Sequence, residues 1–487
     1  MRNGRMKAMA ALATLSMTAG GVAIATGAAS AAAPVKFGTL ASPCGKGTMT
    51  SNSDTGVTAT QIKLGYGDDA GYNKTNQNMG KAVTALIAWC NAQGGINGRT
   101  IKGDYQDAAI FNAKTAVDNM ISNGDFMMAG EGYAFDSAGE ADRLAHNLVA
   151  VPGFTASTDT QNAWEMYQPM PNPADYNPAS SAYEGTKLFG AAATAKACTF
   201  RTDDLPGGAS KSSDIKVEYS YTQAGWKFGD GTGGGFGGNK TSVSDFATYG
   251  CDQNVTFLTT SASPALGVAS NNFKNAGAKV LYWAATPNSA LMGLLANNAA
   301  NHYAPFMMTE ASTYDPSLAK WNTHKYGDNL YTRIGFEPME ATSVPAVKDY
   351  VKLVGSANAS AIGEQAASAF LLWATAAKSC GNDLTRQCMV TYLGTPSNFA
   401  GSKAWTGGGL QGPTNPATNI SASCGIVMHL KGTKWVQALP TKSGAFDCAS
   451  KYPTDTSAVL PILPNGNSTG ITLNNRHVGS GSGLIKP

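Results

Sequence analysis

From Ile62 to Ser157 the chain reads as strand, helix, strand, helix, strand, helix, strand, and few folds accommodate that order. Ile62-Lys63-Leu64-Gly65-Tyr66 alternates apolar and polar residues. Val83, Leu86, Ile87 and Cys90 then recur at helical spacing, and Gly94-Gly95 closes that helix. Ala113, Ala116, Val117, Met120 and Ile121 make a second amphipathic face, and Phe126–Ala129 and Leu148–Val151 read as short apolar strands. Alternation of this kind builds a parallel sheet covered by helices. Such sheets bind ligands at the carboxyl ends of their strands.

The N-terminus sets the compartment. Arg2, Arg5 and Lys7 precede an Ala/Leu/Met/Val-rich run and then Ala29-Ser30-Ala31. The pattern predicts a secretory signal peptide over residues 1–31, cleaved near Ala31. No later segment reaches roughly 18 continuous apolar residues, so the sequence predicts no membrane insertion of the mature chain. Cys44 follows Ala41-Ser42-Pro43, a poor context for lipidation. Removing three basic residues with the leader takes the 35 Lys and Arg to 32, which equals the 32 Asp and Glu. A balanced charge without basic runs argues against nucleic acid as a partner.

Outside the cytoplasm, eight cysteines point to disulfides. Many connectivities are open, and pairing neighbours is the simplest: Cys44–Cys90, Cys198–Cys251, Cys380–Cys388 and Cys424–Cys448. There is no CxxC, and His146, His302, His324, His429 and His477 lack ligand spacing, so neither metal nor other cofactor is expected.

A polar lead-in over 32–57 precedes a first α/β block over 58–185. A second block over 186–335 contains strand patterns at Ile215–Tyr219, Val255–Leu258, Val280–Ala285 and Pro305–Thr309. Between the last two, a helix opened by Pro287 carries Leu291, Leu294 and Leu295. A third segment over 336–451 holds a helix near Gly363–Lys378 and closing strands near Ile426–Leu430 and Trp435–Leu439. Residues 452–487, rich in Pro, Asn, Ser and Gly, read as a loose tail. The glycine-rich run Gly231–Thr241 fails as a phosphate loop, because Asn239 separates Gly238 from Lys240.

Gly56-Val57-Thr58-Ala59-Thr60-Gln61-Ile62-Lys63-Leu64-Gly65 and Asn91-Ala92-Gln93-Gly94-Gly95-Ile96-Asn97-Gly98-Arg99 resemble the opening of type I periplasmic binding proteins. The closest group is the branched-chain amino-acid substrate-binding proteins of ABC transporters. Phe273–Val280 with Pro287 and Pro305-Phe306 resembles that family's second lobe, and 361–381 and 407–437 its C-terminal part. The resemblance implies two Rossmann-like α/β lobes with parallel sheets joined by a hinge, the third segment returning mainly to lobe 1. It implies a non-enzymatic protein that closes on a small-molecule ligand and hands it to a transporter permease.

It also implies where the ligand sits. The loop Gly153-Phe154-Thr155-Ala156-Ser157 would offer N–H groups and hydroxyls to a carboxylate, with Thr155, Ala156 and Ser157 as contacts. Tyr133, Phe135 and Ser137 lie in or beside the preceding loop, and Ser137 begins the capping-box pattern Ser137-Ala138-Gly139-Glu140. Tyr72 and Asn73 follow the first strand. In the second lobe Phe228 would supply an aromatic wall, and Glu310 the carboxylate for a ligand ammonium.

Two departures weaken a leucine-like ligand. Ala134 stands where a serine is usual, and Ala285-Thr286 precedes Pro287 where an aromatic is common. An amide, a peptide-like compound or an aromatic acid therefore remains open, as does a sensing module for a receptor or regulator. A remote alternative is a penicillin-interactive serine enzyme, whose boxes Ser317-Leu318-Ala319-Lys320, Ser356-Ala357-Asn358 and Lys442-Ser443-Gly444 would imitate in order but with compressed spacing.

Overall fold

The computed structural model describes residues 35–50, 54–72, 78–161, 163, 165–202, 209–229, 251–284 and 288–464. The signal peptide, the glycine-rich run, Asn73 and Ala285-Thr286-Pro287 lie outside the described residues.

The first lobe is built on four parallel strands: β1 (Gln61–Asp68), β2 (Thr100–Asp107), β3 (Met127–Ala129) and β4 (Ala150–Val151), in the order β2-β1-β3-β4. Helices α1 (Asn78–Ala92), α2 (Ala113–Ser122) and α3 (Ser137–Ala145) connect them. The face read from the sequence of α1, Val83, Leu86, Ile87 and Cys90, is buried. The Asn91–Arg99 motif turns out to be a staple. Asn91 exchanges hydrogen bonds with the backbone of Ile101 at 2.8 and 2.9 Å. The buried Arg99 guanidinium donates to the carbonyls of Thr58 (2.8 Å), Gly381 (2.6 Å) and Asn382 (3.3 Å), tying the lobe's start to a segment nearly 300 residues on. Gly95, at φ 74, lies against the Arg99 carbonyl where a Cβ has no room.

The second lobe continues the theme with β5 (Ala197–Thr202), β6 (Gln253–Val255), β7 (Val280–Trp283), β8 (Phe306–Thr309) and β9 (Leu330–Ile334), all parallel. Helices α4 (Ser180–Phe189), α5 (Ala209–Gln223), α6 (Pro264–Ala276) and α7 (Asn288–Ala300) cover them. The third segment then divides. Helices α8 (Pro345–Val354), α9 (Ala361–Cys380) and α10 (Arg386–Leu393) join the first lobe's core, where Phe370, Leu371 and Trp373 share a cluster with Val83 and Leu86. Strands β10 (Cys424–Lys431) and β11 (Lys434–Leu439) instead extend the second sheet antiparallel, giving the order β11-β10-β9-β8-β7-β5-β6. The crossings between the lobes are bonded to one another. Gln411 and Thr414 donate to the Pro169 carbonyl, and Glu337 N–H to that of Leu410.

Three expectations need correction. Ile215–Tyr219 is not a strand but the middle of α5. Its apparent alternation spans too few residues to separate the two periods, and α5 is buried on several sides, from Asp214 to Glu218. The first strand of this lobe is β5, which is buried throughout and so shows no alternation. The strand expected at Val255–Leu258 ends at Val255, so Phe257 lies beyond it. The tail is not loose through Pro464: Pro453–Asp455 pairs with Tyr176–Pro178, and Val459, Leu460 and Leu463 pack with Ile215 of α5.

All four neighbour pairings of cysteine are formed, Cys44–Cys90, Cys198–Cys251, Cys380–Cys388 and Cys424–Cys448. Among the described residues no helix is long and apolar enough to cross a membrane.

Candidate functional site

A cavity of about 320 Å3 opens between the lobes, at the carboxyl ends of both sheets. From the first lobe come Asp69 after β1, Gly132 and Ala134 after β3, and Gly153 to Ala156 after β4. From the second come Tyr282, Trp283 and Ala284 at the end of β7, Glu310 to Ser312 at the end of β8, Arg333 on β9, and Ala209, Ser210, Ser213 and Lys216 on α5. Gln168, Asn172 and Asn177 line it along a crossing segment.

Glu310 is the acidic centre of the second lobe's wall. Its side chain is 32% exposed, and Oε1 accepts the Tyr282 hydroxyl at 3.0 Å. Burial pushes its carboxyl up to about 7, against the opposing pulls of Arg333 and the Tyr282 hydrogen bond. Arg333 Nη1 stands 3.9 Å from Glu310 Oε2. The rest of that guanidinium is fixed: Nε donates to Ser180 Oγ at 3.2 Å and Nη2 to the Cys424 carbonyl at 3.0 Å. Lys216 Nζ donates to Gln161 Oε1 (3.2 Å) and the Pro173 carbonyl (3.1 Å). Across the cleft, Asp69 accepts the N–H groups of Ile110 (2.9 Å) and Ala134 (2.8 Å), and burial raises its carboxyl to about 6 despite them. The cavity thus presents both signs of charge together with amide side chains.

Of the residues singled out in the sequence, Thr155, Ala156 and Glu310 line the cavity. The Thr155 hydroxyl donates to Gln168 Oε1 at 3.3 Å. Tyr72 and Phe135 lie instead in an aromatic contact between the lobes. Tyr72 stacks on Phe257 with centroids 5.7 Å apart, and Phe135 meets the same ring at 5.8 Å. Ala134 and Ala209 pack against this cluster and also line the cavity, so the aromatic contact closes one of its edges.

The remaining residues are elsewhere. Tyr133 is buried in the first lobe's core with Met120 and Met128. Phe228 packs with Trp226 and Tyr221 in the second lobe's core and forms no wall of the cavity. Ser157 is fully buried, its hydroxyl bonded to Thr160 at 2.9 Å. Ser137 does not cap α3: Asp136 occupies the cap position, and Glu140 pairs with Arg143 at 2.7 Å rather than reaching back. The loop's anion cradle is also already used. Asp136 accepts the N–H groups of Ala156 (2.7 Å) and Ser157 (3.0 Å).

Arg333, Tyr282, Lys216 and Asp69 escaped the sequence reading. The strand Leu330–Ile334 carries Thr332 and Arg333 among its five residues, so the sequence shows no apolar run in which the arginine would stand out.

The architecture is that of a type I periplasmic binding protein: two α/β lobes, a bonded set of crossings and a cavity where the two sheets' strand ends face each other, lined by apolar side chains with a few charged and amide groups among them. No model of a known protein family matches the chain, and no curated protein matches it. Solved structures do. A possible leucine/isoleucine/valine-binding protein from Rhodopirellula baltica shares 12% identity, with 78% of this chain and 96% of that chain covered at a TM-score of 0.59. A fatty acid ABC transporter substrate-binding protein from Thermomonospora curvata shares 13%, covering 85% and 97% at 0.58. A solute-binding protein from R. palustris in complex with 4-hydroxybenzoate shares 13%, covering 78% and 95% at 0.56. At these identities the likeness defines the fold.

Proposed function

We propose that this is an extracytoplasmic solute-binding protein of an ABC transporter. It would capture a small amino-acid-like, amide or related polar ligand in the interlobe cavity and present the closed form to a permease. The observation that carries this reading is the opposite charge of Glu310 and Arg333, 3.9 Å apart on one cavity wall. Such an arrangement suits a ligand with a hydrogen-bond donor and an acceptor on neighbouring atoms. The four disulfides accord with an oxidising compartment. The solved structures are described as a possible leucine/isoleucine/valine-binding protein, a fatty acid ABC transporter substrate-binding protein and a solute-binding protein in complex with 4-hydroxybenzoate, which sets the range of compounds worth testing. The serine-enzyme alternative gains nothing, because Lys320 is exposed and neither it nor Ser317 lines the cavity.

The test is a thermal-shift screen of amino acids, amides, fatty acids and aromatic acids. A ligand at a hundred times its dissociation constant stabilises by roughly 2.7 kcal/mol. A shift with at least one of these classes is expected, and no shift with any would contradict the proposal.

A further inference from the structure

We infer that the ligand's carboxylate is held by Arg333 in the second lobe, not by the Ala156 and Ser157 N–H groups in the first. The inference rests on the solute-binding reading above and specifies which half of the cavity takes which part of the ligand.

Two independent observations meet here. In the first lobe, the Ala156 and Ser157 N–H groups are consumed by Asp136. An incoming carboxylate would find no free donors at those two positions. In the second lobe, Arg333 is 5% exposed and lines the cavity. Ser180 and Cys424 hold its Nε and Nη2, which orients the guanidinium plane. Nη1 is left facing Glu310 across 3.9 Å, an ion pair without a hydrogen bond. A buried guanidinium recognises a carboxylate through planar, charge-assisted hydrogen bonds. Gly425 makes the placement possible, since a Cβ there would crowd both Ser180 Oγ and Arg333 Nε.

Glu310 then defines the neighbouring group. An N–H donor carried next to that carboxylate would be within reach of Glu310, the role the family resemblance already implies for it. What Arg333 adds is the carboxylate, so the ligand class is a carboxylic acid. Its tail would lie against the apolar part of the lining, Phe154, Met170, Pro171, Trp283 and Ile362.

The test is calorimetric titration with matched pairs: leucine and leucinamide, phenylalanine and phenylalaninamide, and the corresponding acids without the amino group. In the parent protein the amino acid should bind roughly ten- to a hundredfold more tightly than its amide. Arg333→Gln should erase that preference. Because Arg333 also braces Ser180 and Cys424, Arg333→Lys serves as a second variant. It keeps the charge but not the planar fork, and should retain only part of the preference. Asp136→Asn should leave the preference in place. An acid preference that survives in Arg333→Gln, or that disappears in Asp136→Asn, overturns the assignment. If only compounds lacking a carboxylate bind, the assignment falls and the solute-binding reading stands. If no member of the panel binds, both fall.

Discussion

The carboxylate of Asp136 accepts the backbone N–H of Ala156 at 2.7 Å, so the protein supplies its own acid to the loop beside its ligand cavity. The same carboxylate takes the Ser157 N–H at 3.0 Å, and burial pushes it up to about 7 even so. Asp136 is also the N-cap position of α3, immediately before Ser137. One side chain therefore couples the start of a helix to the shape of the Gly153–Ser157 loop.

Asp136→Ala would strand two N–H groups. Leaving a buried donor unpaired costs about 1–3 kcal/mol, so the variant should unfold at lower urea with an unchanged slope. Asp136→Asn, which keeps an acceptor oxygen, should lose less. Equal stability of Asp136→Ala and the parent would show that the loop finds other partners.

Buried carboxyls should make the protein more stable in mild acid. Burial raises Glu184, Glu337 and Asp125 to about 8, and raises Glu364, next to Glu337 and Glu340, well above the ordinary range. Neither Glu364 oxygen has a hydrogen-bond partner. These groups hold protons in the folded chain that the unfolded chain releases near pH 4–5, so the folded form binds more protons across the window up to about 8. Stability therefore falls as pH rises through it. The melting temperature should be higher at about pH 5.5 than at about pH 8.5, and Glu364→Gln should shrink the difference. A melting temperature that rises over this range would refute the assignment.

Glu310→Gln should weaken binding of a ligand with an ammonium or N–H head group by roughly ten- to a hundredfold, the worth of a charge-assisted bond. Because the Glu310 carboxyl ionises near 7, affinity for such a ligand in the parent should rise between about pH 6 and 8, and the variant should lack that rise. Thr155→Val should cost less, since a neutral hydroxyl contributes about 0.5–1.5 kcal/mol. Titration calorimetry at two pH values checks both. Parent-like binding by Glu310→Gln would mean the ligand carries no group that needs the charge.

The lobes touch through Phe257, whose ring meets Tyr72 and Phe135. Aromatic pairs contribute about 0.5–1.5 kcal/mol beyond their buried area. Phe257→Ala should therefore shift the hinge toward the open form and weaken ligand binding several-fold. Small-angle scattering should show a larger radius of gyration for the variant. An unchanged radius and affinity would mean the contact does not bias closure.

Much of this was legible in the chain. The 3.6-residue period of α1 survives because one face packs on the core, and the apolar runs at β3 and β4 because both faces of those strands are covered, Met127 and Val151 in one cluster and Met128 and Ala150 in another. Export reasoning led to four cysteine pairs that all form. Glu310 was visible as a charge at the end of an apolar strand. The failures share a cause. Helix α5 is buried on several sides, which removes the one-sided pattern, and with α5 misread as a strand Lys216 could not be placed in the cavity. Phe228 and Tyr133 went to cores rather than to the cleft, because local order does not say toward which layer a ring points. Asp136 was overlooked because its partners lie about 20 residues away across the loop.

The central claim is that the ligand binds in the cavity between the lobes. Ser312, at the end of β8, lines that cavity and is only partly buried, so Ser312→Trp should fill the space without disturbing either core. The most direct measurement is a calorimetric titration of the parent and this variant with the compound giving the largest thermal shift. The account predicts one saturable site in the parent and none in Ser312→Trp, with the unfolding transition of the unliganded variant unchanged. Binding of equal affinity in the two proteins would contradict it.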